Sequence, residues 1–113
     1  MESILTSIKK FLGPTSEYEH FDPEIIMHIN SVFMDLKDLG VGPSAGFRIE
    51  DDTSVWTDFF AEGETLDAVK SYMYLRVKLL FDPPASSSTV ASMERQIDKW
   101  EWKLNVAAEN ARN

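Results

Sequence analysis

The chain has 113 residues, 43% of them hydrophobic and 12% aromatic, so we expect a single small domain with one hydrophobic core, spanning residues 1–113. The absence of cysteine excludes disulfides and thiolate metal sites. A net charge of -8 argues against sequence-specific nucleic acid binding, because affinity for phosphate backbones comes mainly from lysine and arginine, and no apolar run approaches the ~20 residues that span a bilayer.

The first part of the chain predicts two helices. An apolar face predicts a helix over about residues 2–12, which ends at Gly13 and Pro14. Asp22 followed by Pro23 is typical of an N-cap with proline in the first turn. It predicts a second helix over about 22–39, whose apolar residues recur at three- and four-residue steps: Ile25, Ile26, Ile29, Val32, Phe33, Leu36 and Leu39.

Residues 41–64 predict a long irregular loop. The alternation in 47–49 is compatible with a short β-hairpin, and irregular segments of this length often carry function. The loop aromatics Phe47, Trp56, Phe59 and Phe60 have two open interpretations. They contact a partner protein, or they close one end of the core.

Two further helices complete the pattern, over about 65–81 and 87–110. Asp82, Pro83 and Pro84 end the first of them, since neither proline can donate a helical hydrogen bond, and the serines at 86–88 offer an N-cap for the second. The predicted fold class is therefore mostly α, a small four-helix domain with an irregular loop at 41–64.

The last predicted helix carries a tryptophan on its polar side. The heptad that places Trp100 in the apolar seam directs Trp102 away from it. A large aromatic in such a place is either covered by another part of the chain or serves as an anchor in a protein interface. Both interpretations stay open at this stage.

No pattern in the sequence indicates catalysis. Glu24 and His28 lie one helical turn apart but belong to no recognised ligand set, and the cluster Glu50, Asp51, Asp52 lacks the spacing of a calcium loop. There is no phosphate-binding glycine loop and no nucleophile elbow. We therefore expect no enzyme, no metal and no cofactor, and a protein that acts by contact.

The order of these features resembles the head–tail connector proteins of tailed bacteriophages, also called adaptor or head-completion proteins. The resemblance rests on the Asp-Pro start of the second helix and its Leu-Gly-Val end, a loop with Gly46-Phe47 and Trp56, the Asp82-Pro83-Pro84 break with serines behind it, and the stretch 96–109. It covers the chain from about Phe21 to Glu109.

The resemblance implies a virion protein of the phage neck, assembled in the host cytoplasm. Such a protein forms a ring with itself, typically a dodecamer, docks on the portal after DNA packaging and joins the head to a stopper or tail-side neck protein. The C-terminal segment 105–113 commonly contacts the portal, which makes Asn105, Ala108 and Arg112 candidate interface residues beside Trp102. Glu50, Asp51 and Asp52 are candidates for an acidic lining of the DNA channel, where they would repel phosphates.

A second class of function fits the same residues. A small cytosolic helical regulator, without catalytic activity, would bind one host protein through Trp102 and the loop aromatics. An acidic inhibitor that mimics DNA is a weaker alternative, because the last helix is charge-balanced, with Glu94, Asp98, Glu101 and Glu109 against Arg95, Lys99, Lys103 and Arg112.

Overall fold

A computed structural model describes residues 2–13 and 19–112, with the side chain of Arg112 left out. The described residues form five α-helices and one 3-10 helix. These are α1 (Ile4–Leu12), the 3-10 turn (Glu19–Phe21), α2 (Asp22–Asp38), α3 (Trp56–Phe59), α4 (Glu64–Phe81) and α5 (Ser87–Arg112). The mostly α-helical prediction is confirmed, and the four predicted helices correspond to α1, α2, α4 and α5.

The long helix α4 is the centre of the fold. It packs against α5 on one side and against α2 and α1 on others. Its residues Val69, Tyr72, Met73 and Val77 are fully buried, because they recur at three- and four-residue steps and so form a continuous apolar stripe. The inward faces of α1 and α2 complete the core around this stripe.

The cap of α1 lies at Ser3, and the start of α2 differs by one residue from the prediction. The Oγ of Ser3 accepts a hydrogen bond of 3.0 Å from the backbone N–H of Thr6 and so caps α1. Asp22 is the first residue of α2 instead of its N-cap, and its carboxylate lies 2.7 Å from the Nζ of Lys9 in α1. This ion pair joins the two helices. Pro14, part of the predicted stop signal, lies outside the described residues.

The turn between α4 and α5 agrees with the sequence pattern. Helix α4 ends at Phe81, directly before Asp82 and the two prolines. The carbonyl of Ser86 accepts a hydrogen bond of 3.1 Å from the N–H of Val90, and its Oγ lies 3.4 Å from the N–H of Thr89. The N-cap predicted within residues 86–88 is therefore Ser86.

The short β-hairpin with which the loop sequence was compatible does not form, since no strand lies in the part of the chain that the structure describes. The side-chain amide of Asn30 in α2 takes the place of a second strand. It donates to the carbonyl of Ile49 at 2.9 Å and accepts from the N–H of Ile49 at 2.8 Å. Both polar groups of a buried residue are thereby satisfied without a sheet. A single bridge between Ser3 and Val55 ties the far end of the loop to α1.

Candidate functional site

The loop aromatics belong to the core of the single chain. Trp56 is 4% exposed and Phe59 is 5% exposed, while Phe47 and Phe60 are partly buried against them. The ring of Phe33 in α2 lies 4.7 Å from that of Phe59 and 5.0 Å from that of Phe47, centroid to centroid. Of the two interpretations left open for this group, the structure favours the one in which it closes an end of the core.

The acidic cluster of the loop is an exposed turn. Glu50, Asp51 and Asp52 all face solvent. The hydroxyl and the backbone N–H of Thr53 both donate to the carboxylate of Asp51. These two hydrogen bonds lower the pKa of Asp51, and the bond from the hydroxyl has the larger effect. The turn lies on a shallow groove that further carboxylates, Glu19 and Asp22, also line. It presents a concentrated negative charge at neutral pH.

The side chain of Trp102 on helix α5 faces solvent. Trp102 is 67% exposed, so no other part of the described chain covers it. Further along the helix, Asn105 is partly buried and Ala108 is 7% exposed. Arg112 is at the end of α5 and its side chain lies outside the described part. Of the predicted contacts on this helix, Trp102 is therefore the one that is most available to a partner, and Ala108 packs in the core.

A second apolar surface lies on the outer face of α2, and the sequence analysis missed it. Met27 and Met34 are 57% and 68% exposed, seven residues apart and so on one side of the helix. Together with Phe47 they line an open groove of about 670 Å³ between α2 and residues 45–48. The signal was present in the sequence, since both methionines lie opposite the buried stripe of α2.

Helices α2, α4 and α5 are joined by a polar network. The guanidinium of Arg76 in α4 lies 2.7 Å from the carboxylate of Asp35 in α2 and also donates to the hydroxyl of Tyr72. That hydroxyl donates to Glu101 in α5 at 2.8 Å. Burial raises the pKa of Tyr72 above its ordinary value, and the hydrogen bond to Glu101 raises it further. The network fixes helix positions, and every member of it has a partner.

The described surfaces offer contacts for a binding partner. Within residues 2–13 and 19–112, no three histidine or acidic side chains come together in a way that could hold a metal ion. The helices of the described part include none that is long and apolar enough to cross a membrane. What remains is an exposed tryptophan, a methionine-lined groove and an acidic turn on a well-packed helical domain.

The comparison with protein families shows to which family this domain belongs. A family model described as "Phage connector protein" matches residues 4–111, which is all but the two ends of the chain. The chain belongs to the phage connector protein family. No curated protein and no solved structure shows a significant similarity to it.

Membership of the connector family confirms the resemblance that the sequence indicated. The family is a structural one, and its match begins and ends with the described helices, from the first residue of α1 to Ala111 in α5. A role as a component of the phage neck follows at the level of the family.

Proposed function

We propose that this connector protein is the adaptor that docks on the portal after DNA packaging and joins the head to the tail side of the neck. The observation that carries the proposal is the match of the connector family over residues 4–111. In this proposal the protein has no enzymatic activity. It acts as a ring, a dodecamer when assembled, and extends the DNA channel towards a stopper or tail-side protein.

The end of α5 is the proposed contact with the portal. Helix α5 has 26 residues, and its neighbour α4 has 18. Glu109, Asn110 and Ala111 are exposed, although Leu104 and Ala108 are buried. A segment that is anchored by two buried residues and then projects into solvent is suited to reach another protein without loss of the fold.

The acidic turn is the proposed lining of the DNA channel. Glu50, Asp51 and Asp52 are exposed and close together, so a ring would repeat their charge around its axis. Negative charge on a channel wall repels DNA phosphates, which limits adhesion of the genome during its passage. In the same proposal the loop that carries them, residues 41–63, contacts neighbouring subunits through its exposed rim, because its aromatic residues are used in the core.

The docking step is tested with purified portal rings. The full chain is mixed with portal rings and the products are separated by sedimentation, with a second sample that lacks the portal. We expect co-sedimentation at a stoichiometry of one chain per portal subunit, and rings of this protein on one face of the portal in electron micrographs. A chain that does not sediment with the portal rings would contradict the adaptor and leave the regulator as the alternative.

A further inference from the structure

The exposed tryptophan of α5 lies on a face with two charged sides. At 3.6 residues per turn, Asp98 and Glu109 lie within about 60° of Trp102 on one side of it, and Arg95 and Lys99 lie within about 60° on the other. All four charged residues are exposed. The surface therefore consists of an apolar centre between an acidic and a basic flank.

The groove on α2 has the complementary arrangement. Its floor is apolar, with Met27 and Met34 exposed. Lys37 and Arg48 line it as well. The acidic groove that holds Glu50, Asp51 and Asp52 adjoins it at Arg48, because Pro23, Ile26 and Arg48 line both. The α2 groove therefore combines an apolar floor with basic side chains.

The groove is large enough for an indole and a turn of helix. Its volume of about 670 Å³ falls within the ~300–1,000 Å³ of pockets that enclose small ligands. Exposed methionines adapt to the shape of an inserted aromatic, since the thioether is flexible and polarisable. A tryptophan in such a groove is the residue type that most often dominates the energy of an interface.

One chain cannot bring the two surfaces together by itself. Trp102 is 67% exposed and is not among the residues that line the groove. Helix α4 packs against both α5 and α2, and the exposed Trp102 faces solvent instead of the groove. The complementary partner is then a second copy of this chain.

We infer that Trp102 of one subunit inserts into the α2 groove of the next, with Asp98 and Glu109 directed to Lys37 and Arg48. The contact joins two different surfaces of identical chains, so it is head-to-tail and repeats from copy to copy until the rotation closes a ring. The inference rests on the proposed adaptor function and supplies the contact by which its ring would close.

Photo-crosslinking in assembled particles tests the contact directly. The protein with p-benzoylphenylalanine in place of Trp102 is supplied to particles that lack their own copy, which are then irradiated and digested for mass spectrometry. We expect a product of twice the mass of one chain, with the crosslink on residues 23–48 of the second copy. The same photoreactive residue in place of Leu80, which is 46% exposed, is the matched control and gives no such product.

A crosslink from position 102 to the portal, to another neck protein or to a different region of a second copy overturns the inference. Particles that are still joined in that experiment leave the adaptor function intact, so the two failures are distinguishable. Particles that stay separate without the protein and are joined by the natural sequence establish the adaptor function independently of where Trp102 lies.

A charge exchange tests the same contact without altering the tryptophan. We expect Lys37→Glu to reduce the number of joined particles by about tenfold, and Asp98→Lys in the same chain to restore most of it. Asp67→Lys, which changes an exposed acidic residue of α4, serves as the control for net charge. An unchanged number with Lys37→Glu alone, or equal rescue by Asp98→Lys and Asp67→Lys, contradicts the contact.

Discussion

The indole N–H of Trp56 donates a hydrogen bond of 2.9 Å to the hydroxyl of Ser7, across 49 residues of sequence. Both residues are buried, and the hydroxyl of Ser7 in turn donates to the carbonyl of Ile4 at 3.0 Å. The bond attaches the short helix α3, and with it the end of the loop, to helix α1. The loop is therefore part of the folded core in the single chain.

Removal of the Ser7 hydroxyl tests this attachment. Ser7→Ala leaves a buried indole N–H without a partner, so we expect a loss of about 1–3 kcal/mol in the free energy of unfolding. Ser31→Ala is the matched control, because the hydroxyl of Ser31 makes the same kind of bond to a helix carbonyl but is exposed. It should change the free energy by less than about 0.5 kcal/mol. Equal values for both variants in urea denaturation would contradict the assignment.

The close approach of Gly42 to Phe59 gives a second stability prediction. Gly42 has φ +92, and a Cβ there would lie 2.4 Å from a ring carbon of Phe59. Gly42→Ala therefore combines backbone strain with a clash in the core, and we expect it to destabilise by about 2–4 kcal/mol. Gly13→Ala, with φ +99 and no atom of the described residues within 4 Å of the added Cβ, tests mainly the strain and should cost about 1 kcal/mol. Thermal denaturation of the pair measures the difference.

The buried Tyr72 predicts a loss of stability at high pH. Its pKa is raised in the folded chain by burial and by Glu101, while the unfolded chain ionises near pH 10. Below pH 10 the hydroxyl of Tyr72 is protonated in both the folded and the unfolded chain. Its full contribution to the free energy of unfolding is therefore present there. As pH rises further, the unfolded state loses the proton first, and stability falls by up to about 1.4 kcal/mol per pH unit.

The comparison of Tyr72→Phe with the natural chain isolates this titration from that of the lysines. The advantage of the natural chain in urea denaturation should shrink as the pH rises from about 10 to about 12. A difference that stays constant over this range would show that the folded and unfolded states ionise Tyr72 alike.

Because Ala108 is buried, the C-terminal segment is tested with two deletions of different length. Deletion of 105–113 removes a core residue, so it should reduce stability as well as contact. Deletion of 109–113 removes only residues beyond it and should leave the helical circular dichroism signal and the free energy of unfolding within about 1 kcal/mol of the parent. We expect this shorter deletion to abolish portal binding.

Two controls accompany the truncation. Glu109→Gln removes one charge and keeps the helix, so it should retain portal binding. Full portal binding by the chain without 109–113 would show that another surface makes the contact, and a large loss of helical signal would show that the last turns are needed for folding.

The proposed channel lining predicts an effect on DNA passage. The combined change Glu50→Gln, Asp51→Asn and Asp52→Asn removes three exposed charges, and we expect DNA ejection to slow by about tenfold. A control with three other exposed acids changed, Asp38, Asp67 and Glu94, has the same net charge and should eject normally. Equal ejection kinetics for both sets would contradict a role for the acidic turn in the channel.

Much of the fold could be predicted because its signals are local. Proline and glycine end the helices, and apolar spacing gives their inward faces. The exposed position of Trp102 also agrees with the heptad of α5. The hairpin does not form because the alternation in 47–49 reflects burial against α2, where the side chain of Asn30 satisfies Ile49. Such a contact depends on how distant residues meet, which spacing does not report.

The candidate surfaces were predicted less completely for the same reason. Phe59 and Trp56 look like exposed loop aromatics in the sequence, and only the positions of Phe33 and Ser7 show that they are buried. For Met27 and Met34 of α2, by contrast, the sequence pattern agrees with their exposure. Their spacing placed them on the outer face, but their use as the floor of a groove depends on the loop that folds beside them.

Electron microscopy of particles made without this protein is the most direct test of its role as the neck adaptor. The gene is deleted from its phage or prophage, and the protein is then added back to the lysate. The adaptor role predicts DNA-filled or emptied heads and complete tails that stay separate, and that join into virions on addition. Joined, infectious particles in the absence of the protein would contradict it.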